Sequence, residues 1–523
     1  MSASQPALAG AVAPGPGGGA RGLRQWLLLA PLMAGTFLGT LNNNIVNVPL
    51  KQVLSYFRVP LSHGAFVVIA FNLTFAVLMP LAGWLGDRVG CRRLFCWAVG
   101  TVALGGVGAM TAPSLPALIA FRVVQGAGTA AILPIVMAII ADVYTDGRRG
   151  RALGIWAAVN GFGQAVGPPL GGFIVSGWSW RLVFAPTVPL AVLAAAGALV
   201  LVPRGVTRRQ PVDLRGALSL TCGAAFLIGA VSAVPVSGLT SPTVLALAAA
   251  GLGSLAAFLL GIRRRGAPFI PPRLLLEPSY LRSSLAVFAQ MCCLGAMLLG
   301  VPLYLTRRLG LDAGRAGVLV LALPAVMTVL APAAGRCAER WGPRRVLRAG
   351  LVILAVAQAF ALARFGAGAP AWQLEPVLVL AGIGVAFVQT PAATGATRSP
   401  AGRVGAGLGL FNLVRFAGSA IGAAWVSITL TGAQRYGLLF LGCLIMAVLG
   451  LAGTYVGRNP AALARHACGM PAGQVSRRGA RVSEARKLRR RPLCCRSEAV
   501  ISTKISAPDS RVGKVLMGTV AGG

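Results

Sequence analysis

Acidic side chains are scarce in this chain. It carries 11 aspartates and glutamates and two histidines among 523 residues, against 48 lysines and arginines. Charged residues of either sign make up only 11% of the sequence, and the mean hydropathy is +0.76. So little charge excludes a soluble globular protein, which needs a polar surface. The scarcity of acid and histidine also removes most of the side chains that perform acid–base chemistry or hold metals. The sequence offers no nucleophile–base set, metal cluster or phosphate-binding loop, so neither an enzyme nor a cofactor or metal is expected. Its ten cysteines show no metal-ligand spacing. Two adjacent pairs, Cys292/Cys293 and Cys494/Cys495, and the rest read as small hydrophobes.

What the chain does have is apolar sequence. Charge lies in short clusters between apolar stretches of about 20 residues, the length that crosses a bilayer as helix. In lipid the backbone must satisfy its own hydrogen bonds, so the spans are expected to be helices. A β-barrel would show alternating strands of about ten residues. Fourteen spans are predicted, near 25–50, 64–86, 94–112, 115–141, 151–176, 182–203, 214–235, 241–262, 283–306, 316–335, 346–364, 375–396, 404–430 and 436–457. Residues 1–24, rich in alanine, glycine and proline, are expected to be a disordered N-terminus. From 458 to 523 the chain holds Arg486-Lys487-Leu488-Arg489-Arg490-Arg491 and no span. That stretch is expected to be a disordered basic tail, with contact to anionic lipid as its functional alternative.

A net charge of +37 would suggest nucleic acid in a soluble protein. Its distribution argues against that partner. Alternate loops hold Arg88/Arg92/Arg93, Arg148/Arg149/Arg151, Arg204/Arg208/Arg209, Arg263/Arg264/Arg265 and Arg340/Arg344/Arg345. The opposite loops hold few arginines, such as Arg58, Arg181 and Arg435, with Arg307/Arg308 the main exception. By the positive-inside rule the rich set is cytoplasmic, which predicts a multi-pass plasma-membrane protein with both termini inside.

Two segments repeat. Gly83-Trp84-Leu85-Gly86-Asp87-Arg88-Val89-Gly90-Cys91-Arg92-Arg93 follows the second span, and Gly335-Arg336-Cys337-Ala338-Glu339-Arg340-Trp341-Gly342-Pro343-Arg344-Arg345 follows the tenth. Both read Gly, three residues, acid, Arg, one residue, Gly, one residue, two Arg. A repeat at that separation predicts two six-helix bundles, 25–203 and 273–457, joined by an inserted helix pair at 204–272 that lies peripherally. In the first copy Gly83 and Gly90 are expected to permit close turns. Asp87 is expected beside the N-terminus of the third span, bridged by Arg88, Arg92 and Arg93 as a conformational latch.

Three further segments carry polar or glycine patterns into the spans. Leu41-Asn42-Asn43-Asn44-Ile45-Val46-Asn47 lies in the first, and Arg122-Val123-Val124-Gln125-Gly126-Ala127-Gly128 in the fourth. The fifth holds Gly163-Gln164-Ala165-Val166-Gly167-Pro168-Pro169-Leu170-Gly171-Gly172. Gly163, Gly167 and Gly171 recur every four residues, so one helix face lacks side chains and a neighbour can approach closely; Pro168 is expected to bend the helix. Arg122 and Arg415 are costly in a membrane and are functional candidates. Asn42 and Arg122 both fall about 10–14 Å below the outer surface at 1.5 Å per residue, so they are expected to meet.

With the loop motif, these segments resemble the 14-span drug:proton antiporter branch of the major facilitator superfamily, over residues 25–457. The resemblance implies an all-α fold of two pseudo-symmetric six-helix bundles plus two extra helices. It also implies alternating access, a small-molecule substrate and efflux of amphipathic compounds, drug-like or metabolic. It makes Gly163, Gly167, Pro168, Gly171 and Gly172 an antiporter-like motif. Asn42, Arg122, Gln125, Asn160, Gln164, Gln389, Asn412 and Arg415 become candidate cavity residues, lining an apolar, amide-rich and positive site. The chain departs from the branch at one point. Its first span commonly reads Leu-Asp-x-Thr-Ile-Val-Asn, and here Asn42 replaces the acid and Asn44 the threonine. Because an amide does not titrate, proton coupling by a buried carboxylate is not expected. An exporter of one anionic metabolite and a non-transporting sensor or scaffold remain alternatives. Cysteine-accessibility mapping is expected to place residues 263–265 on the cytoplasmic side; labelling from outside the cell would overturn the topology.

Overall fold

The computed structural model describes residues 26–456, apart from 60, 146, 205–212, 239, 265–269, 271–275, 367, 402–403 and 431–434. The expectations for 1–24, for the tail from 458 and for the side chains at 263–265 lie outside the described residues. Every regular element within them is helical. A first group comprises α1 (Leu29–Asn44), α2 (Leu50–Phe57), α3 (Leu61–Val89), α4 (Cys91–Met110), α5 (Leu115–Val143), α6 (Arg149–Gly177) and α7 (Thr187–Leu201). Next come α8 (Leu214–Ser237) and α9 (Pro242–Arg264). A second group comprises α10 (Pro278–Arg307), α11 (Ala313–Val320), α12 (Ala322–Trp341), α13 (Pro343–Gly366), α14 (Glu375–Arg398), α15 (Gly405–Leu430) and α16 (Tyr436–Gly453).

Twelve helices among the described residues are long and apolar enough to cross a membrane. The first and fifth expected spans are not among them. The first breaks after Asn44: residues 45–48 form turns and Pro49, which has no N–H, precedes α2. The fifth, α6, is 29 residues long, but glycine, proline and amide dilute its apolar content. The tenth is also divided, between α11 and α12 at Leu321, because Pro324 cannot donate back to Val320.

The two groups repeat one packing scheme. In the first, α1 packs on α6 and α7, α5 on α3 and α4, and α4 on α7. In the second, α10 packs on α15 and α16, α14 on α12 and α13, and α13 on α16. Each copy of the loop motif turns between its second and third long helices on a glycine in the left-handed region, Gly90 at φ 99° and Gly342 at φ 87°. The inserted pair behaves unequally. α8 touches α3 of one bundle and α15 of the other, whereas α9 packs mainly on α8. Only α9 is peripheral in the sense expected of both.

The rare acids sit at helix ends. Asp213, Glu277 and Asp312 precede α8, α10 and α11, and each accepts a hydrogen bond from a first-turn N–H, at 2.8, 2.8 and 2.9 Å. Those N–H groups have no partner within the helix and carry the positive end of its dipole. The left-handed turns carry a stability test. Gly90→Ala forces a side chain into that region at a cost of about 1–2 kcal/mol, read as a lower unfolding midpoint in detergent. Gly100→Ala, with open space around its Cβ position, is expected to show no loss.

Candidate functional site

A cavity of about 380 Å³ lies between the bundles, lined from α1, α3, α6, α8, α10 and α15. Its polar lining includes Thr40, Asn43, Asn44, Asn72, Asn160 and Gln164, with serines from α8 and α15; Phe75, Met291 and Phe416 supply apolar wall. No described lining residue is ionisable. The lining falls in the halves of α1, α3, α10 and α15 remote from the arginine-rich ends. Among the candidates from sequence, Asn160 and Gln164 reach the cavity. Asn42, Arg122, Gln125, Gln389, Asn412 and Arg415 are buried and do not line it. The expected positive lining is therefore a neutral amide surface, with Arg415 behind it against Asn160 and Phe416. Thr40, Asn43 and Ser232 were missed. The triple asparagine was a signal for Asn43; α8 offered none, because it was placed at the periphery.

Arg122 and Asn42 do meet, but through the backbone. One guanidinium nitrogen of Arg122 donates to the Asn42 carbonyl oxygen at 3.2 Å and to Gln125 Oε1 at 2.9 Å. Its Nε donates to the Val67 carbonyl at 3.3 Å, and the group lies over the Phe71 ring, 4.1 Å from its centroid. The Asn42 side chain points elsewhere: Nδ2 donates to Leu38 O at 3.0 Å, and Oδ1 accepts from Thr187 Oγ1 at 3.2 Å. An arginine in mid-bilayer costs about 3 kcal/mol on insertion scales. Three acceptors and a desolvated ring, worth about 1–2 kcal/mol each, offset that. Arg122 is thus a brace holding α5 to α1 and α3.

Arg415 is less well held. It is 1% exposed, and its hydrogen bond runs across the bundles to Asn160 Oδ1 at 3.5 Å. The rings of Trp156 and Phe416 flank it at 5.3 and 5.2 Å. Its Nε and the other terminal nitrogen have no partner. Nearby on α15, Asn412 Nδ2 donates to Leu408 O at 3.0 Å and to Met137 Sδ at 3.3 Å. Gln389 has no partner for either amide atom.

At the arginine-rich end the bundles touch twice, and the two contacts are copies. The Asp87 carboxylate accepts the Gly405 N–H at 2.7 Å, at the start of α15. Glu339 accepts the N–H groups of Gly150 and Arg151 at 2.8 and 3.4 Å, at the start of α6. Each acid therefore caps a helix of the opposite bundle, a contact that sequence reasoning did not anticipate for Asp87. Gly83 faces Gly405 so closely that a Cβ on either would collide with the other's carbonyl, and Gly335 faces Gly150 in the same way. Gly83 is thus a cross-bundle contact, while Gly90 is the turn. The arginines do not all join this latch. Arg92 donates to Val202 O beyond α7 at 3.3 Å, and Arg344 to Thr454 O beyond α16 at 3.2 Å. Arg88 lies 5.6 Å from the Trp84 ring centroid, and Arg93 is exposed.

The antiporter-like glycines pack within one bundle. Gly163 sits against Thr40, Gly167 against Asn44, Gly171 against Ile45 and Gly172 against Val48, so this face of α6 seats the end of α1. Pro168 lies inside α6, which continues through it to Gly177. The cross-bundle face of α6 is a second set, Gly150, Gly154 and Gly161, packed on α12. α15 repeats both sets: Gly405 and Gly409 meet α3, while Gly418 and Gly422 meet α10. Gly150, Gly154, Gly163 and Gly167 have the spacing of Gly405, Gly409, Gly418 and Gly422. In that register Asn160 stands where Arg415 stands, and the two side chains meet.

Paired six-helix bundles around a cavity with no ionisable lining define a membrane transporter. Comparison with known proteins agrees. The Major Facilitator Superfamily profile matches residues 32–423, and the chain belongs to that superfamily, whose members are transporters and not enzymes. It is 31% identical over 418 residues to the multidrug resistance protein Stp of Mycobacterium tuberculosis (strain CDC 1551 / Oshkosh), covering 78% of this chain and 77% of that one. It is 26% identical over 419 residues to the lincomycin resistance protein LmrB of Listeria monocytogenes, covering 80% and 88%. Among solved structures, the human organic anion transporter MFSD10 superposes with a TM-score of 0.61 at 17% identity, over 82% of this chain and 99% of that one.

The two capped contacts generate a paired test. Asp87→Asn and Glu339→Gln each remove charge from a helix N-terminus, destabilising the closed end by about 1 kcal/mol, a population shift of about fivefold. Each is expected to slow dye efflux from cells at unchanged membrane insertion, and the double variant more so. Labelling of Ala334→Cys, fully buried on α12, is expected to speed up in the double variant. Unchanged labelling and efflux would reduce the motif to a topology anchor.

Proposed function

We propose that this transporter exports amphipathic small molecules by alternating access, without a proton-carrying carboxylate in its membrane core. In this reading the chain crosses the membrane fourteen times, in bundles 25–203 and 273–457 with the pair 204–272 between them, and both termini are cytoplasmic. The observation that carries it is the neutral, partly apolar cavity, closed by the paired Asp87 and Glu339 caps at the arginine-rich end. Rocking α6 against α12 and α3 against α15 exchanges the open side. Glycine suits those contacts because bare backbones can separate and re-form without side-chain repacking. Names among its relatives, multidrug and lincomycin resistance, favour drug-like substrates. Asn160 and Gln164, with the asparagines of α1, offer amide hydrogen bonds that suit varied neutral groups.

Coupling is the departure. Every described acid lies at a helix end, and the first-span position is Asn42, bonded to Leu38 and Thr187. Nothing there changes charge with pH, so the transporter runs as a facilitated pathway or on another ion. Efflux of fluorescent dyes by the wild type is expected to persist when the proton gradient is collapsed. Asn42→Asp introduces a titratable group beside Thr187 and is expected to make efflux depend on pH. A wild type that stalls with the gradient would refute this and assign coupling to a carboxylate at a helix end.

A further inference from the structure

We propose that Arg415 is an anion-binding group at the floor of the central cavity, and that the substrates are amphipathic anions. The inference rests on the export reading and names its substrate class. A carboxylate, sulfonate or phosphate headgroup takes the place of Asn160 on the guanidinium, while the apolar part lies along Phe75, Phe416 and Met291.

The contrast between the two buried arginines carries the proposal. Arg122 has three acceptors, Asn42 O, Val67 O and Gln125 Oε1, and one terminal nitrogen without a partner. Arg415 is as deeply buried, yet it has a single hydrogen bond of 3.5 Å and two nitrogens without a partner. A buried guanidinium has five N–H donors and cannot shed its proton, so an acceptor-poor site is stable only with an anion or a compensating environment. Its one acceptor, Asn160, lines the cavity, as does Phe416 beside it. The guanidinium therefore lies one side chain away from the cavity, behind an amide that can swing aside. The lining provides no described carboxylate for a cationic substrate, and a cation would approach Arg415 at low dielectric.

Position gives the site a second consequence. Asn160 and Arg415 occupy equivalent places on α6 and α15, and their contact crosses the bundles. An anion that takes over the guanidinium releases Asn160 and removes one tie between the bundles. Binding would then favour separation of α6 from α15, which links occupancy to the change of access.

The test uses three matched probes in phosphatidylcholine proteoliposomes: naphthylbutanoate, its methyl ester and the trimethylammonium analogue. Equilibrium binding and transport are both measured for wild type, Arg415→Gln and Asn160→Asp. The second variant puts a carboxylate against Arg415, neutralising the site while leaving the arginine in place, and it guards against misfolding of the first. The wild type is expected to bind the acid best. Both variants are expected to weaken acid binding by about tenfold or more, the scale of losing one charged partner, and to abolish the preference for acid over ester. If both variants bind the acid as the wild type does, or if the wild type prefers the cation, the site is overturned. Binding of the acid without transport of any probe supports the site and overturns export. Transport of ester and cation with no binding of acid does the reverse. Phosphatidylglycerol that displaces the acid from the wild type assigns the site to lipid headgroups and overturns the substrate class.

Discussion

The capping of one bundle's helix by the other bundle's acid is the interaction on which this fold turns. The protein has few carboxylates, and it places two of them, Asp87 and Glu339, where a helix start is bare of internal acceptors. Each contact is charge-assisted, and each is flanked by a glycine pair that lets two backbones touch. Remove the acid and the N–H groups at the start of α15 or α6 lose their acceptor at a protein–protein seam. Remove the glycines and the seam cannot close at all. Stability at this end is therefore concentrated in a few polar atoms.

The rest of the polar inventory follows the same economy. Arg92 and Arg344 hold the carbonyl ends of α7 and α16, and Asp213, Glu277 and Asp312 hold the amide ends of α8, α10 and α11. Positive groups meet helix C-termini and negative groups meet N-termini, in the sense the helix dipole favours. Neither sign reaches the cavity lining among the described residues. Charge here works on the frame, and the cavity is left to amides, hydroxyls and rings.

Much of the frame was legible in the sequence, because lipid allows few alternatives. Apolar runs and arginine clusters marked the helices, and the repeated loop motif announced two bundles. The breaks at 45–49 and Leu321 were not legible from hydropathy, since apolar residues flank both; Pro49 and Pro324 were the available signs. The site was only partly legible. Depth along the helices brought Arg122 to Asn42 correctly, but depth says nothing of side-chain direction, and the contact proved to be with a main-chain oxygen. The glycine faces were legible only in part, for a related reason. Gly163, Gly167 and Gly171 were visible as a stripe, yet a stripe does not name its partner. The second stripe, Gly150 and Gly154, emerges once it is compared with Gly405 and Gly409.

The unequal placement of α8 breaks the twofold plan. Two seams separate the bundles, α3 against α15 and α6 against α12, and α8 lies across the first while contributing Ile228, Val231 and Ser232 to the cavity. That flank is roofed by protein, whereas no inserted helix covers the other. Lipid tails and membrane-dissolved solutes thus face a one-sided molecule: among the described residues the inserted pair shields the seam of α3 and α15 and leaves that of α6 and α12 bare.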